Sequence, residues 1–212
     1  MASFNQRNIT EFRSRLSGGG ARSNLFEVEI AFPEELNITI SDVSDKIPFL
    51  VKAAEIPASN LGNIPVPYRG RVLPVAGDRT FDPWTVTIIN DTDFQIRDAM
   101  EKWSNSINDL QTAQGKINPA DYQTSALVQQ LSRKGTADTD SNIEVLRTYK
   151  FEGIYPNVVS SIPLDYGATD QIEEFQVTFN YLFYEVVGGS GKVADGEGAS
   201  ANLTTGPAAA TS

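Results

Sequence analysis

Apolar and polar residues alternate along several stretches of the chain, a pattern typical of β-strands with one buried face. The alternation is clear from Phe26 to Phe32 and again from Trp84 to Ile89. A longer example is Ile172–Glu185, which places one apolar set on a single face: Phe175, Val177, Phe179, Tyr181 and Phe183. The same pattern predicts further strands at Ile47–Ile56, interrupted by Pro48, at Leu127–Leu131 and at Val145–Tyr155.

A β-hairpin is predicted between residues 62 and 76. Two strand-like segments, Gly62–Tyr68 and Val72–Ala76, flank Arg69-Gly70-Arg71, and Gly70 is expected at the turn. Pro65, Pro67 and Pro74 have no backbone N–H to donate to a ladder. We therefore expect this hairpin at a sheet edge or a bulge.

The period of the pattern changes to that of a helix between residues 93 and 110. Ile96, Met100, Trp103 and Ile107 lie on one helical stripe, and Asp91, Thr92 or Asp93 could cap its start. Many short strands with a single helix predict a mainly β fold. We expect an antiparallel β-barrel or sandwich with one flanking α-helix.

Composition divides the chain into three parts. Residues 1–23 are rich in Arg and are expected to be an N-terminal arm, with a short helix at Asn8–Leu16, that docks on another surface; a disordered leader is the alternative. Residues 24–187 form the β domain. Residues 188–212 are rich in Gly and Ala and are expected to be a flexible tail, because they offer little apolar surface to bury.

Charge and composition exclude several classes of protein. The 212 residues carry a formal charge of −10, and residues 24–187 alone carry −12, which argues against a basic nucleic-acid binder. The chain contains no His and no Cys, so disulfides, zinc fingers and His-dependent catalytic triads are impossible. No secretory leader or membrane-spanning run is recognisable, and we expect a soluble protein.

Candidate cofactor and catalytic motifs fail on inspection. Asp138-x-Asp140-x-Asn142 resembles the start of a calcium loop, but Ile143 stands where Gly is required. Glu173 and Glu174 are adjacent on a predicted strand, so they would point to opposite faces and could not act as a catalytic pair. We therefore expect no metal, no cofactor and no enzymatic activity.

The segment Val75–Thr87 is the most distinctive in the chain. It is expected as a turn, with Gly77 in an unusual backbone conformation, that leads into a strand with Trp84 buried. A local ion pair between Asp78 and Arg79 would be the simplest role for those two residues. In its context, Ala-Gly-Asp-Arg-Thr-Phe before a Trp strand, then Asn90-Asp91 and a helix, the segment resembles the tail tube proteins of contractile-tailed bacteriophages.

The resemblance extends over residues 22–185. Earlier matching segments are Asn24–Ile30, Lys52–Pro57 and Ile64–Val66, and later ones are Pro119–Tyr122, Ser125–Val128, Gly153–Val158, Leu164-Asp165 and Ile172–Thr178. The departures are the longer N-terminal segment and the Gly/Ala-rich tail.

The resemblance implies a structural role without catalysis. Family members form six-fold rings that stack into a tube inside a contractile sheath, and DNA passes through the lumen without specific binding. It implies partners in the sheath, the baseplate and the tail terminator, no membrane, and a location in the virion after assembly in the host bacterial cytoplasm. Gly77, Asp78, Arg79 and Thr80 are expected at a subunit interface, and the acidic composition predicts a net-negative lumen.

Two other functions remain compatible with the sequence. The first is a tube initiator or the inner-tube protein of another contractile injection system. The second, from a different class, is a monomeric β-sandwich binding module. Self-association separates the second from the tube proteins.

Overall fold

A computed structural model describes residues 8–16, 20–36, 40–133 and 145–188. The Asp138–Asn142 motif and almost all of the Gly/Ala-rich tail lie outside these ranges. The described residues contain three α-helices and nine strands, together with two short 3-10 helices: α1 Ile9–Arg15, β1 Phe26–Ile30, α2 Ile40–Leu50, β2 Val51–Ala54, β3 Asn60–Tyr68, β4 Arg71–Thr80, β5 Trp84–Ile89, α3 Gln95–Ile107, β6 Thr124–Leu131, β7 Val145–Val159, β8 Glu174–Asn180 and β9 Phe183–Val186.

Seven of the strands form one antiparallel sheet. Its order is β1-β6-β7-β8-β5-β2, and β9 continues β8 along the same side of β7. The mainly β, antiparallel architecture expected from the sequence is confirmed. Among the described residues the sheet does not close into a barrel, because β1 and β2 end the order without pairing to each other.

Alternate residues of the sheet build an aromatic core. Trp84, Val86 and Ile88 of β5 lie directly opposite Phe179, Val177 and Phe175 of β8, and all six side chains are buried. The ring of Trp84 stacks on Phe151 of β7 with centroids 4.5 Å apart, two strands away across the sheet. The sheet is therefore curled around its aromatic side chains.

The predicted helical stripe is confirmed in α3. Ile96, Met100 and Trp103 are buried, and the Trp103 ring meets Phe32 edge-on at 5.6 Å. The predicted cap is wrong: the helix begins after Phe94, which has a left-handed backbone (φ 53°) and forms no side-chain cap bond. Asp91 bonds instead to its neighbour Thr92 and to Lys46, which places it one turn ahead of the helix.

A second helix flanks the sheet where a strand was expected. Residues 40–50 form α2, and only Val51–Ala54 of the predicted Ile47–Ile56 strand is extended. Val43 and Ile47 are four residues apart and are both buried against the core, which gives the helical period. The predicted strand began at Ile47 and so missed the polar first turns of this helix; Pro48 lies inside it.

The last predicted strand is broken in two. Tyr181 and Leu182 separate β8 from β9, opposite Gly153 of β7. The break shifts the alternation by one residue, because Tyr184 rather than Phe183 now packs on the core. Phe183 is 46% exposed, so its predicted place on the buried face is wrong.

Gly153 should be essential to this break. Its φ is +67°, and an added Cβ would lie 2.6 Å from Leu182 Cδ1. We expect Gly153→Ala to lower the free energy of unfolding by about 1–2 kcal/mol for the backbone and by about 1–3 kcal/mol for overpacking. Chemical denaturation measures the change. Gly167→Ala, with ordinary contacts from 3.4 Å, is the control; equal stability of both variants would contradict the assignment.

An ionic contact joins α2 to the segment before α3. Lys46 Nζ lies 2.9 Å from Asp91 Oδ2 and 3.5 Å from Asp93 Oδ2. The hydrogen bond from Lys46, with a further one from the Thr92 N–H, lowers the pKa of Asp91. The bond to Asp91 likewise raises the pKa of Lys46. Both charged forms therefore favour the docked position of α2.

Asp91 should make the protein sensitive to acid. Because its folded pKa is lowered, its contribution to stability is present above its unfolded pKa of about 3.9 and is lost as pH falls through the folded pKa. We expect Asp91→Asn to lose less stability than the wild type between pH 5 and 2, an approximate window set by that pKa. Thermal melting against pH measures this. Asp45→Asn, exposed on α2, is the control and should keep the wild-type acid slope.

Candidate functional site

The hairpin of β3 and β4 is almost entirely exposed. The two strands form their own two-stranded sheet, separate from the seven-stranded one. Arg69 and Gly70 form the turn with φ of 46° and 79°, the left-handed values of a type I′ turn. The predicted hairpin with Gly70 at its turn is confirmed, and nearly all of its residues are exposed.

One face of this hairpin carries most of its large apolar side chains. Residues directly opposite each other share a face, and the register pairs Ile64 with Val75 and Val66 with Leu73. Tyr68 continues the same face toward the turn. We call Ile64, Val66, Tyr68, Leu73 and Val75 the apolar hairpin face; these side chains are 42–66% exposed. Exposed apolar patches of this kind typically mark an interaction surface.

The predicted interface residues Gly77, Asp78, Arg79 and Thr80 end β4 at the base of the hairpin. The expected turn at Gly77 is wrong, since Gly77 lies within the strand and is not among the residues with positive φ. Its small size serves a close approach: an added Cβ would lie 3.3 Å from the Gly62 backbone. The register shifts here, which marks a bulge.

Arg79 has a different partner from the one expected. Its Nη1 donates a hydrogen bond to Ser59 Oγ, just before β3, and among the described residues it forms no ion pair with Asp78. Thr80 lies opposite Asn60, whose amide donates to Asp82. These bonds fasten the base of the hairpin to the segments that enter and leave it.

The side of the sheet opposite the helices is mostly polar, although Leu127 and Phe183 also lie on it. Thr85 and Thr87 of β5 lie beside Thr178 and Gln176 of β8, and the Thr85 and Thr178 hydroxyls are 3.1 Å apart. We call this side the polar sheet face. Its charged residues are five glutamates and two lysines, a formal charge of −3: Glu27, Glu29, Glu152, Glu174, Glu185, Lys52 and Lys150.

Both lysines of the polar sheet face are neutralised by local ion pairs. Lys52 Nζ lies 2.5 Å from Glu174, and Lys150 Nζ lies 2.6 Å from Glu152. Burial, and then the charge of Glu27, raise the pKa of Glu29. The negative charge of this face is therefore carried by the three remaining glutamates.

Other exposed apolar residues lie outside the sheet. The short helix expected at Asn8–Leu16 forms as α1, with Asn8 as its cap, and its stripe of Ile9, Phe12 and Leu16 is exposed. Loop residues Leu110 and Tyr166 are also exposed, and they are not among the residues that the sequence predicted at a surface contact. Their position as isolated apolar residues in polar loops is the sequence feature that could have indicated their exposure.

The described residues hold no metal-binding cluster, and the adjacent Glu173 and Glu174 have separate partners. No three His, Cys, Asp or Glu side chains among them could share a metal ion. Glu173 accepts a bond from Asn90, whereas Glu174 pairs with Lys52. No helix in the described ranges is both long and apolar enough to cross a bilayer.

Relatives of known identity match most of the chain. The tail tube protein gp19 of Enterobacteria phage T4 is 32% identical over 173 residues, which cover 80% of this chain and 93% of the relative. The tail tube protein of Serratia phage KSP90 is 29% identical over 176 residues, 82% of this chain and 94% of the relative.

Solved structures share the fold. The tube-terminating cap of the anti-feeding prophage superposes with a TM-score of 0.54 at 15% identity, covering 79% of this chain and 90% of the cap protein. A chain from the sheath/tube terminator of an extracellular contractile injection system gives 0.54 at 12% identity, with coverage of 80% and 97%. The sequence profile described as phage tail tube protein matches residues 21–187. The chain therefore belongs to the phage tail tube protein family, as its motifs predicted.

Proposed function

We propose that this protein is the structural subunit of a phage tail tube, in which hexameric rings stack around a lumen that conducts the genome. Membership of the tail tube family supports a structural role without catalysis. The observation that carries the assembly proposal is the hairpin, because its apolar face is left without cover by the described part of the chain.

The hairpin docks on a second copy of the chain. Burying an apolar side chain of this size contributes about 1.5–3 kcal/mol when it was fully exposed, and five such side chains lie together here. Gly77, Asp78, Arg79 and Thr80 belong to this interface as its base: the Arg79–Ser59 bond and the Gly62–Gly77 approach set the direction in which the hairpin leaves the domain.

The polar sheet face lines the lumen. The opposite side of the sheet is covered by α2 and α3, which pack into the core and so lie on the outer side of the ring. Duplex DNA carries a negative charge about every 1.7 Å, and it is repelled by a wall with three glutamates per subunit that form no ion pair among the described residues. Screening over about 8 Å at physiological salt keeps this repulsion close to the wall. DNA then passes without specific binding.

The remaining partners follow from this place in the tail. The outer helices face the contractile sheath protein, and the tube ends meet baseplate and terminator proteins. The protein resides in the virion and is assembled in the host bacterial cytoplasm. The arm of residues 1–23, with the exposed stripe of α1, bridges neighbouring subunits, whereas the tail after residue 187 is dispensable.

Two adjacent hairpin residues offer a matched test of assembly. Leu73 belongs to the apolar hairpin face and Val72 to the opposite face, and their exposed fractions are 60% and 62%. We expect Leu73→Asp to abolish tubes. Loss of a central apolar contact costs about 2 kcal/mol or more of binding free energy, and every subunit of the tube repeats this loss. Val72→Asp should retain most of the assembly.

Light scattering and electron microscopy of the purified variants measure the outcome, with circular dichroism to confirm that both variants fold. A wild-type protein that stays monomeric at about 10–100 µM, a range for weak interfaces, would favour a monomeric binding module. Tubes that tolerate Leu73→Asp but not Val72→Asp would place the contact on the other hairpin face.

Charge reversal on the polar sheet face should turn the lumen into a DNA-binding surface. Glu27→Lys with Glu185→Lys changes the charge of this face from −3 to +1. We expect assembly to persist, genome release to slow and assembled tubes to retain short duplex DNA in a salt-dependent way. Asp98→Lys, exposed on α3, is the control and should leave release unchanged. DNA-release assays on particles decide this; unchanged kinetics in the double variant would contradict a role for wall charge.

A further inference from the structure

The three prolines of the hairpin share one backbone orientation. A two-residue turn closes on a pair that exchanges both hydrogen bonds, here Tyr68 with Arg71, and bonded and non-bonded pairs alternate from there. Val66–Leu73 and Ile64–Val75 are then bonded pairs. Pro65–Pro74 and Pro67–Val72 are non-bonded pairs, whose backbone groups point outward from the hairpin.

The prolines therefore remove donors from the outer edges alone. Outward N–H positions are residues 63, 65 and 67 on β3 and residues 72, 74 and 76 on β4. Three of these six are proline: two consecutive outward positions on β3 and the central one on β4. None of the six inward-donating residues is proline, so the ladder within the hairpin keeps its bonds.

The missing donors protect this hairpin against pairing of its exposed edges with a strand of another chain. Its strands have 9 and 10 residues, they are apolar, and they extend outside the core with both edges unpaired in the described chain. A long apolar strand with open donors and acceptors is a template for pairing with another chain. A strand that approached β3 would find one outward donor of three, at Asn63, and a strand that approached β4 would find a gap between the donors of Val72 and Ala76.

We propose that Pro65, Pro67 and Pro74 obstruct strand addition at both outer edges of the hairpin, so that a second copy docks on a face of the hairpin and not along an edge. The identity of the docked partner rests on the proposed function, whereas the closure of the edges rests on the register alone. The prolines thus select face-on docking over edge-to-edge growth.

A pair of proline substitutions tests the register on which this depends. Val72→Pro adds a fourth proline at an outward position and should preserve amide protection in the hairpin. Leu73→Pro removes an inward donor to Val66 and should abolish that protection. Native-state hydrogen exchange measures both; equal loss in the two variants would overturn the assignment of outward and inward donors.

A second set of substitutions restores the missing backbone N–H donors. The triple variant Pro65→Thr, Pro67→Thr and Pro74→Thr should form fibrous aggregates that bind thioflavin T at concentrations where the wild type forms none. Pro163→Thr, at an exposed loop position, is the control and should behave as the wild type. The domain core is unchanged in the triple variant, and circular dichroism confirms its folding.

The outcomes separate this proposal from the proposed function. Fibres from the triple variant, with or without tubes from the wild type, support closed edges, because strand addition needs no ring. Wild-type tubes together with a triple variant that forms the same tubes and never binds thioflavin T would overturn the proline proposal while leaving the tube subunit intact.

Discussion

The fold depends on one strand that serves two parts of a curled sheet. β7 pairs with β6 and β9 along its first ten residues and with β8 beyond Gly153. The left-handed backbone of Gly153 and the matching break at Leu182 allow this change of direction. The bend brings Phe151 over Trp84. The helices α2 and α3 pack on the concave, aromatic surface around this stacked pair. Without the bend, the two halves of the sheet would share no core.

This core explains why apolar residues elsewhere on the described chain remain exposed. The described chain covers the concave side of the sheet with α2 and α3, and no residue of the hairpin or of α1 belongs to the buried core. Apolar residues at those two places are left exposed without weakening the core. A subunit that folds first and associates afterwards needs this separation between core-forming and partner-forming apolar surface.

Much of the sheet could be predicted because each strand carries its own local signal. Trp84, Val86 and Ile88 alternate with threonines, and Gly70 marks a turn that needs left-handed backbone. The helix α2 could not be predicted by the same route, since the strand-like segment began only at Ile47 and the polar first turns of the helix carried no strand or helix signal. The break at Leu182 could not be predicted either, because it depends on contact with Gly153 of another strand. The alternation within one strand does not reveal which residue of a neighbouring strand lies opposite.

The candidate interface also depends on contacts between strands that local sequence does not reveal. Gly77, Asp78, Arg79 and Thr80 were singled out together through a family motif, yet their individual places differ from the expected turn and ion pair. Arg79 bonds to Ser59, twenty residues away, and Gly77 accommodates Gly62; both relations require the hairpin to exist first. The prolines are the converse case: their lack of donors was visible from sequence, but only the register shows that all three face outward. A proline in a strand is harmless or disruptive according to that one alternation, so the meaning of these residues depends on a turn several positions away.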